Sequence, residues 1–251
     1  MKRSVLALAV ALAAGVMPTL AQADDSPLSF NVGAVSDYRY RGISQSRLGP
    51  AVQGGADYAQ GPFYAGTWLS TIQWVKDAGR PVGIDSGDAP VEWDVYGGLK
   101  GNVAKDVAYD VGVLGYIYIG ESFGNLGLSS PNTGEVYGAL TFGPVTGKVS
   151  VSLTDLFGVP DSKGSAYVDL SANFDLGQGF SVVPHVGYQD VANADQLSYT
   201  DYALTLAKDF GKGLSATLAV IGTDAEKSLF VTSGGQSTAD TAVVAGIKYT
   251  F

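Results

Sequence analysis

The sequence predicts an all-β protein: an antiparallel up-and-down transmembrane β-barrel of about 12 strands, with short periplasmic turns and longer extracellular loops. Three observations predict it. Period-two alternation of apolar and polar residues recurs in segments of roughly nine to thirteen residues, the span of a tilted membrane strand. The connections between these segments alternate between tight and long. The chain ends on an alternating strand with an aromatic terminus, Phe251.

Val107–Gly120 is the clearest segment. Val107, Tyr109, Val111, Val113, Ile117 and Ile119 fall on one face; Asp110, Gly112, Leu114, Tyr116 and Tyr118 fall on the other. Val91–Gly101 sets Val91, Trp93, Val95 and Leu99 against Glu92, Asp94, Tyr96 and Lys100. Tyr167–Asp175 and Val145–Leu153 behave alike, with Val168, Leu170, Val149 and Val151 on the lipid side. The face of Phe63–Trp74 is ambiguous, because Tyr64, Trp68 and Ile72 share one parity while Phe63, Ala65 and Leu69 share the other. Alternation leaves overall hydropathy near neutral, which fits a mean of +0.15. Thirty-four glycines suit strands that must bend around a barrel.

Tight connections fall at Gln60-Gly61-Pro62, Asn102–Asp106, Gly143-Pro144, Gly177-Gln178-Gly179 and Gly211-Lys212-Gly213. Longer ones fall at Ile43–Gly49, Val75–Pro90, Glu121–Asn132, Gly158–Gly164, Val191–Ser198 and Thr223–Asp240. Strict alternation of this kind belongs to an up-and-down barrel, and a Greek-key sandwich has no reason to keep it. Aromatic residues near strand ends, from Tyr38, Tyr40, Tyr64, Trp68 and Trp74 to Tyr202 and Phe210, suit interfacial girdles.

The first residues read as a secretory leader. Lys2 and Arg3 precede an apolar run, Ser4–Val16, and Ala21-Gln22-Ala23 is a small-x-small cleavage pattern. Residues 1–23 are therefore the expected signal peptide and 24–251 the expected barrel domain. Net charge is −9, and loss of Lys2 and Arg3 makes it more negative, which argues against a nucleic-acid partner. There is no cysteine and a single histidine, so neither disulfides nor transition-metal sites are expected, and no cofactor is implied. The acidic loops Asp85-Ser86-Gly87-Asp88 and Asp190–Asp195 lack the ligand spacing of a calcium loop. The expected partners are outer-membrane lipid and lipopolysaccharide on the outside, the barrel-assembly machinery during insertion, and small solutes or ions within. Tyr249 and Phe251 form the expected assembly signal.

The stretch Val35-Ser36-Asp37-Tyr38-Arg39-Tyr40-Arg41-Gly42-Ile43-Ser44-Gln45-Ser46, followed by Pro50–Gly55 and Phe63–Trp68, resembles the TorF family of porins. That family is also carried as conserved hypothetical proteins of proteobacteria. Glu92–Gly98 fits it too, and the resemblance is most specific over residues 35–74. It implies an outer-membrane barrel and brings no set of catalytic residues.

Function then rests on interior charges. Parity places Asp37, Arg39 and Arg41 inside on the first strand and Asp57 inside on the second. Glu92, Asp94, Lys100, Asp110, Glu135, Lys148, Asp169, Asp175 and Lys248 follow. On this reading Arg39 and Arg41 form a basic patch facing an acidic wall, and an open lumen prefers cations weakly. His185 shares its parity with Ser181, Gly187 and Gln189, which points it into the barrel. An outer-membrane phospholipase would need its histidine and serine on the lipid side. The first reading is a passive channel for small hydrophilic solutes or ions. The second is a closed structural or adhesive barrel that binds through its loops. An enzyme ranks third.

Overall fold

The computed structural model describes residues 26–78 and 83–251. The expected leader lies outside the described residues. Strand β1 spans Leu28–Val35. A short hairpin follows, β2 (Arg39–Tyr40) and β3 (Ile43–Ser44). The wall continues with β4 (Ala51–Gln60), β5 (Phe63–Thr71), β6 (Val91–Ala104), β7 (Val107–Ile117), β8 (Thr133–Phe142) and β9 (Val145–Ser152). Next come β10 (Ala166–Ala172), β11 (Phe174–Gly177), β12 (Phe180–Asp190), β13 (Tyr199–Gly211), β14 (Leu214–Thr223) and β15 (Ala242–Thr250). β10 and β11 are two pieces of one wall strand: both pair with β12 and they are separated at Asn173. The result is an all-β, antiparallel, closed 12-strand barrel.

Closure is made where β1 meets β15, with Val32 opposite Tyr249 and Gly33 opposite Lys248. Phe30 N donates to Phe251 O at 2.8 Å and Phe251 N returns the bond to Phe30 O at 2.9 Å. Among the described residues no wall strand is left with an open edge, so the wall's backbone is satisfied within the sheet, as a lipid environment requires. Leu28, Phe30 and Val32 of β1, Val111 and Val113 of β7, Leu140 of β8, and Leu204 and Leu206 of β13 are exposed on the outer face. Their neighbours in sequence point inward. Among the described residues no helix is long and apolar enough to cross a membrane.

One rim carries only tight turns, centred on Gly61-Pro62, Lys105-Asp106, Gly143-Pro144, Gln178-Gly179 and Lys212-Gly213. Gln178 and Gly179 have φ of 53° and 77°, and Lys212 and Gly213 have 53° and 82°. Positive φ at both central residues is the turn that matches strand twist. The other rim carries the long loops 36–50, 72–90, 118–132, 153–165, 191–198 and 224–241.

The face of β5 resolves with Tyr64, Trp68 and Ser70 inward and Phe63 and Leu69 outward. The outer aromatics include Phe30, Tyr58, Phe63, Trp93, Phe142, Phe174, Phe180, Tyr188, Tyr202, Phe210, Tyr249 and Phe251. Tyr38, Tyr40, Tyr64, Trp68 and Trp74 do not join this girdle. They pack into or against the buried cluster that contains Ile72, Tyr116 and Phe123: Tyr64 and Trp68 from inward positions of β5, and Tyr38, Tyr40 and Trp74 from loops that fold inward at the long-loop rim. Asp175 keeps the inward parity, in register with Ser181 on β12, but sits exposed at the tight-turn end of its strand, where its Oδ1 accepts from Gly177 N at 2.8 Å.

Phe251 closes the seam with its backbone and stacks on Phe30 at 5.9 Å and Tyr249 at 5.7 Å. Changing Phe251 to Asp removes stacking worth about 0.5–1.5 kcal/mol and places a charge at the lipid face. The expected result is a lower unfolding temperature of the heat-modifiable band on gels and less protein in the membrane fraction. Unchanged insertion and melting would refute a role for the terminal aromatic.

Candidate functional site

Loop 36–50 does not stay on the rim; it enters the barrel. Its hairpin pairs Arg39 with Ser44 and Tyr40 with Ile43. The turn residues Arg41 and Gly42 both have positive φ, 45° and 83°. Gly42 is needed for a second reason. A Cβ there would stand 2.9 Å from Asp201 Cβ and 3.1 Å from Thr223 Cβ. The hairpin tip thus rests against β13 and β14.

Side chains of the hairpin then reach the far wall. Arg41 Nη2 donates to both Glu135 carboxylate oxygens on β8 at 2.9 Å, and Nη1 donates to Gln189 Oε1 on β12 at 2.5 Å. The guanidinium also lies over the rings of Tyr167, at 4.2 Å, and Tyr40, at 4.7 Å. Tyr38 Oη donates to Glu92 Oε1 at 2.6 Å, and Tyr118 Oη donates to Glu92 Oε2 at 2.8 Å. Burial, reinforced by Glu92 and Asp94, pushes the Tyr38 phenol well above its ordinary value, so it remains a donor. Tyr40 Oη donates to Tyr116 Oη at 2.9 Å. Arg39 Nε donates to Asp37 Oδ2 at 2.8 Å, and its Nη1 donates to the carbonyls of Gly42 and Asp240 at 3.0 and 2.6 Å.

Three of the expected wall residues are therefore relocated. The first strand ends at Val35, and Asp37, Arg39 and Arg41 belong to the inward loop. They are inside the barrel as parity suggested, but across its bore. Nor do Arg39 and Arg41 form one basic patch: one neutralises Asp37 and the other Glu135.

Asp57, Glu92, Asp94, Lys100, Asp110, Glu135, Lys148, Asp169, His185 and Lys248 lie on inward positions of their strands. Glu92, Asp94 and Glu135 gather at the hairpin's level. Nearer the tight turns, Lys100 stands opposite Asp110 and Lys148 opposite Asp169 in register. Tyrosines link this wall. Tyr96 crosses Gly66 of the next strand and donates to Asp57 at 2.5 Å on the strand beyond. A Cβ at Gly66 would sit 2.5 Å from the Tyr96 ring. Tyr137 lies over Gly112 in the same way and shares a hydrogen bond with Tyr64, whose hydroxyl donates to Asp110 at 2.6 Å. Glycine on the inner face lets these rings lie flat against the wall and keeps them out of the bore.

His185 is held between two carboxylates. Nδ1 is 3.0 Å from Asp169 Oδ2 and Nε2 is 2.9 Å from Asp201 Oδ1. With both ring nitrogens engaged, neither is available to activate a nucleophile. Tyr167 Oη donates to Asp201 Oδ2 at 2.8 Å. Asp201 and Gln189 are central here and were not among the predicted site residues. The inward parity of Tyr199, Asp201, Ala203 and Thr205 is the signal that would have found Asp201. Acidic loop residues are used locally: Asp85 Oδ1 accepts from Gly87 N at 2.9 Å, and Asp88 meets Lys76 at 2.9 Å. Among the described residues no group of three or more His, Cys, Asp or Glu is placed to hold a metal.

On the loop side of the hairpin lies a cavity of about 350 Å³, between Tyr40, Trp74 and Phe157 on one side and Tyr199 and Phe230 on another. By fold, the chain is a closed 12-strand antiparallel barrel with an apolar exterior and an ionisable lumen. The sequence matches Gcw_chp, a bacterial family of unknown function, over residues 21–251, and the chain belongs to that family. No curated protein matches it. Similar solved structures include a KdgM porin, at 8% identity and TM-score 0.55 over 89% of this chain and 99% of that one. A NanC porin aligns at 12% identity and TM-score 0.53, over 89% and 98%. A KdgM porin in complex with disordered oligogalacturonate aligns at 6% identity and TM-score 0.52, over 89% and 98%. At such identities the likeness speaks for the fold.

The pair Arg41–Glu135 is the strongest pin on the hairpin. In Glu135→Ala the guanidinium stays buried without its partner, a loss of about 3–5 kcal/mol. Hydrogen exchange should then accelerate across residues 36–50 while the amides of β6, β7 and β12 remain protected. Uniform loss of protection, or none, would show that this pair does not hold the hairpin.

Proposed function

We propose that the chain is an outer-membrane channel for passive diffusion of small hydrophilic solutes or ions, constricted by its inward hairpin. The observation that carries this is the wall itself: apolar side chains outside, ionisable side chains and flat-lying tyrosines inside. A twelve-strand barrel of ordinary spacing and tilt has a backbone radius of roughly 12 Å. That width exceeds what flat-lying wall side chains fill, so the hairpin decides what passes. The resemblance to TorF-type porins over residues 35–74 supports the same reading. So does the KdgM fold, which has been captured with an oligogalacturonate.

A polyanion fits this chain poorly. Glu92 and Asp94 stand at the constriction, while Arg39 and Arg41 are spent on Asp37 and Glu135. A field of that sign favours cations modestly. On this proposal the leader is removed near Ala23, the assembly machinery reads Tyr249 and Phe251, and the outer face meets lipid and lipopolysaccharide. The tight turns then face the periplasm and the long loops the exterior. Amine labelling of intact cells should spare a chain whose lysines other than Lys212 are replaced by arginine; labelling at Lys212 would reverse the orientation.

A second reading is favoured by the hairpin, which spans the lumen: a closed barrel that binds through its loops. Single-channel recording in planar bilayers separates the two. Discrete conductance steps are expected, and folded protein that never conducts would sink the channel. Removing both partners with Arg41→Ala and Glu135→Ala should enlarge the steps. Asp94→Asn with Asp110→Asn should lower the cation-to-anion permeability ratio, less so in 1 M salt, where screening acts within about 3 Å. An unchanged reversal potential would place these carboxylates outside the path.

A further inference from the structure

The cavity on the loop side of the hairpin has no assigned role. It borders all three buried apolar clusters, and its composition is specific. Tyr40, Trp74 and Phe157 make one aromatic wall, with Tyr40 edge-on to Phe157 at 5.4 Å and Trp74 edge-on to Phe157 at 6.5 Å. Tyr199 and Phe230, edge-on at 5.7 Å, make another.

Polar groups are set between these walls. Gln45 donates its Nε2 to Ile43 O at 3.0 Å, which fixes the amide and leaves Oε1 with no partner among the described residues. The Tyr199 hydroxyl likewise makes no hydrogen bond there, although its residue is buried. Arg47 grips Asp77 with Nε and Nη2, at 2.8 and 2.5 Å, and keeps Nη1 unengaged. The Trp74 indole nitrogen is buried and also lacks a partner. A donor, an acceptor and a hydroxyl that can be either are thus held ready at the margins of an aromatic slot.

We propose that this cavity is a binding site for a neutral sugar, about one pyranose ring in size, at the mouth of the barrel. A pyranose carries apolar C–H faces and a girdle of hydroxyls. The faces suit the aromatic walls, and the hydroxyls suit Gln45 Oε1, Tyr199 Oη and Arg47 Nη1. The volume is at the small end of ligand pockets. Charge selects against the alternatives. An organic ammonium would gain from the rings, but Asp77 is already taken and Arg47 stands beside it. A carboxylate would meet Arg47 only through the side that Asp77 leaves, between apolar walls. The site rests on the channel reading only for its purpose, the capture of a solute before passage.

The test uses the full barrel domain in detergent with Trp68→Phe and Trp93→Phe, so that Trp74 is the remaining tryptophan. D-glucose should change its fluorescence saturably. Glycerol, galacturonate and choline should bind more weakly or not at all. Phe230→Ala should weaken glucose binding roughly ten-fold by removing part of one wall. Tyr199→Phe should weaken it less and leave the melting temperature in place. Absence of saturable glucose binding by folded protein, tighter binding of choline or galacturonate, or indifference to both variants would overturn the proposal. Planar-bilayer recording keeps the two readings apart. Conductance without sugar binding removes the site and leaves the channel; saturable binding without conductance removes the channel and leaves the site. Where both hold, glucose added on the long-loop side should reduce the ion current.

Discussion

Backbone satisfaction in lipid is the constraint from which the rest of this structure follows. A hydrocarbon layer offers no partner to an amide or a carbonyl, so every wall strand must be paired on both sides. The chain meets this by joining β1 to β15, with Phe30 and Phe251 exchanging the last backbone bonds. Closure forces each strand to spend alternate side chains on lipid. The remaining positions face inward, and there the polar and charged residues of the sequence accumulate.

Interior charge creates its own demand. A buried carboxylate or guanidinium without a partner is costly, and near the long-loop rim the hairpin supplies the partners. Arg41 satisfies Glu135, Tyr38 and Tyr118 share Glu92, and Tyr40 meets Tyr116. Toward the tight turns the wall supplies its own, through tyrosines that cross a glycine to reach a carboxylate. The two halves of the lumen are therefore organised differently. One is bridged by a loop, and the other is lined by a wall whose aromatic rings lie flat.

Much of this was legible in the sequence. Period-two alternation put Glu92, Asp94, Lys100, Asp110 and Lys148 on the inner face, and the wall is built that way because side-chain direction in a strand is fixed by parity. Loop-length alternation gave the two rims. The inward hairpin was not legible for a specific reason. Asp37, Arg39 and Arg41 continue the parity of Val35, so a loop that turns into the lumen reads as a strand running on. What distinguishes the two is the positive φ at Arg41 and Gly42 and the contact of Gly42 with Asp201 and Thr223. Neither leaves a mark on periodicity. Long-range pairings such as Arg41 with Glu135 and Gln189 depend on which strands stand across the barrel, which local pattern does not encode. Asp175 keeps its parity on β11, opposite Ser181, yet it stands so near the turn that its carboxylate binds the backbone of Gly177 and stays exposed.

The hairpin is attached by means different from those that hold the wall. Wall strands are joined by continuous backbone ladders, whereas β2 and β3 pair only with each other. Their ties to the barrel are side-chain bonds and a few loop amides, among them Ser44 N to Thr238 O at 2.9 Å and Gln73 N to Gln45 O at 2.8 Å. Ladder and hairpin stability are therefore separable in principle. Loosening the hairpin removes no strand from the closed sheet, and the apolar exterior keeps its place in lipid. A barrel constructed in this way can change what occupies its bore without risking the wall, which is the physical basis, on the proposed channel reading, for giving selection to loop 36–50 and containment to the strands.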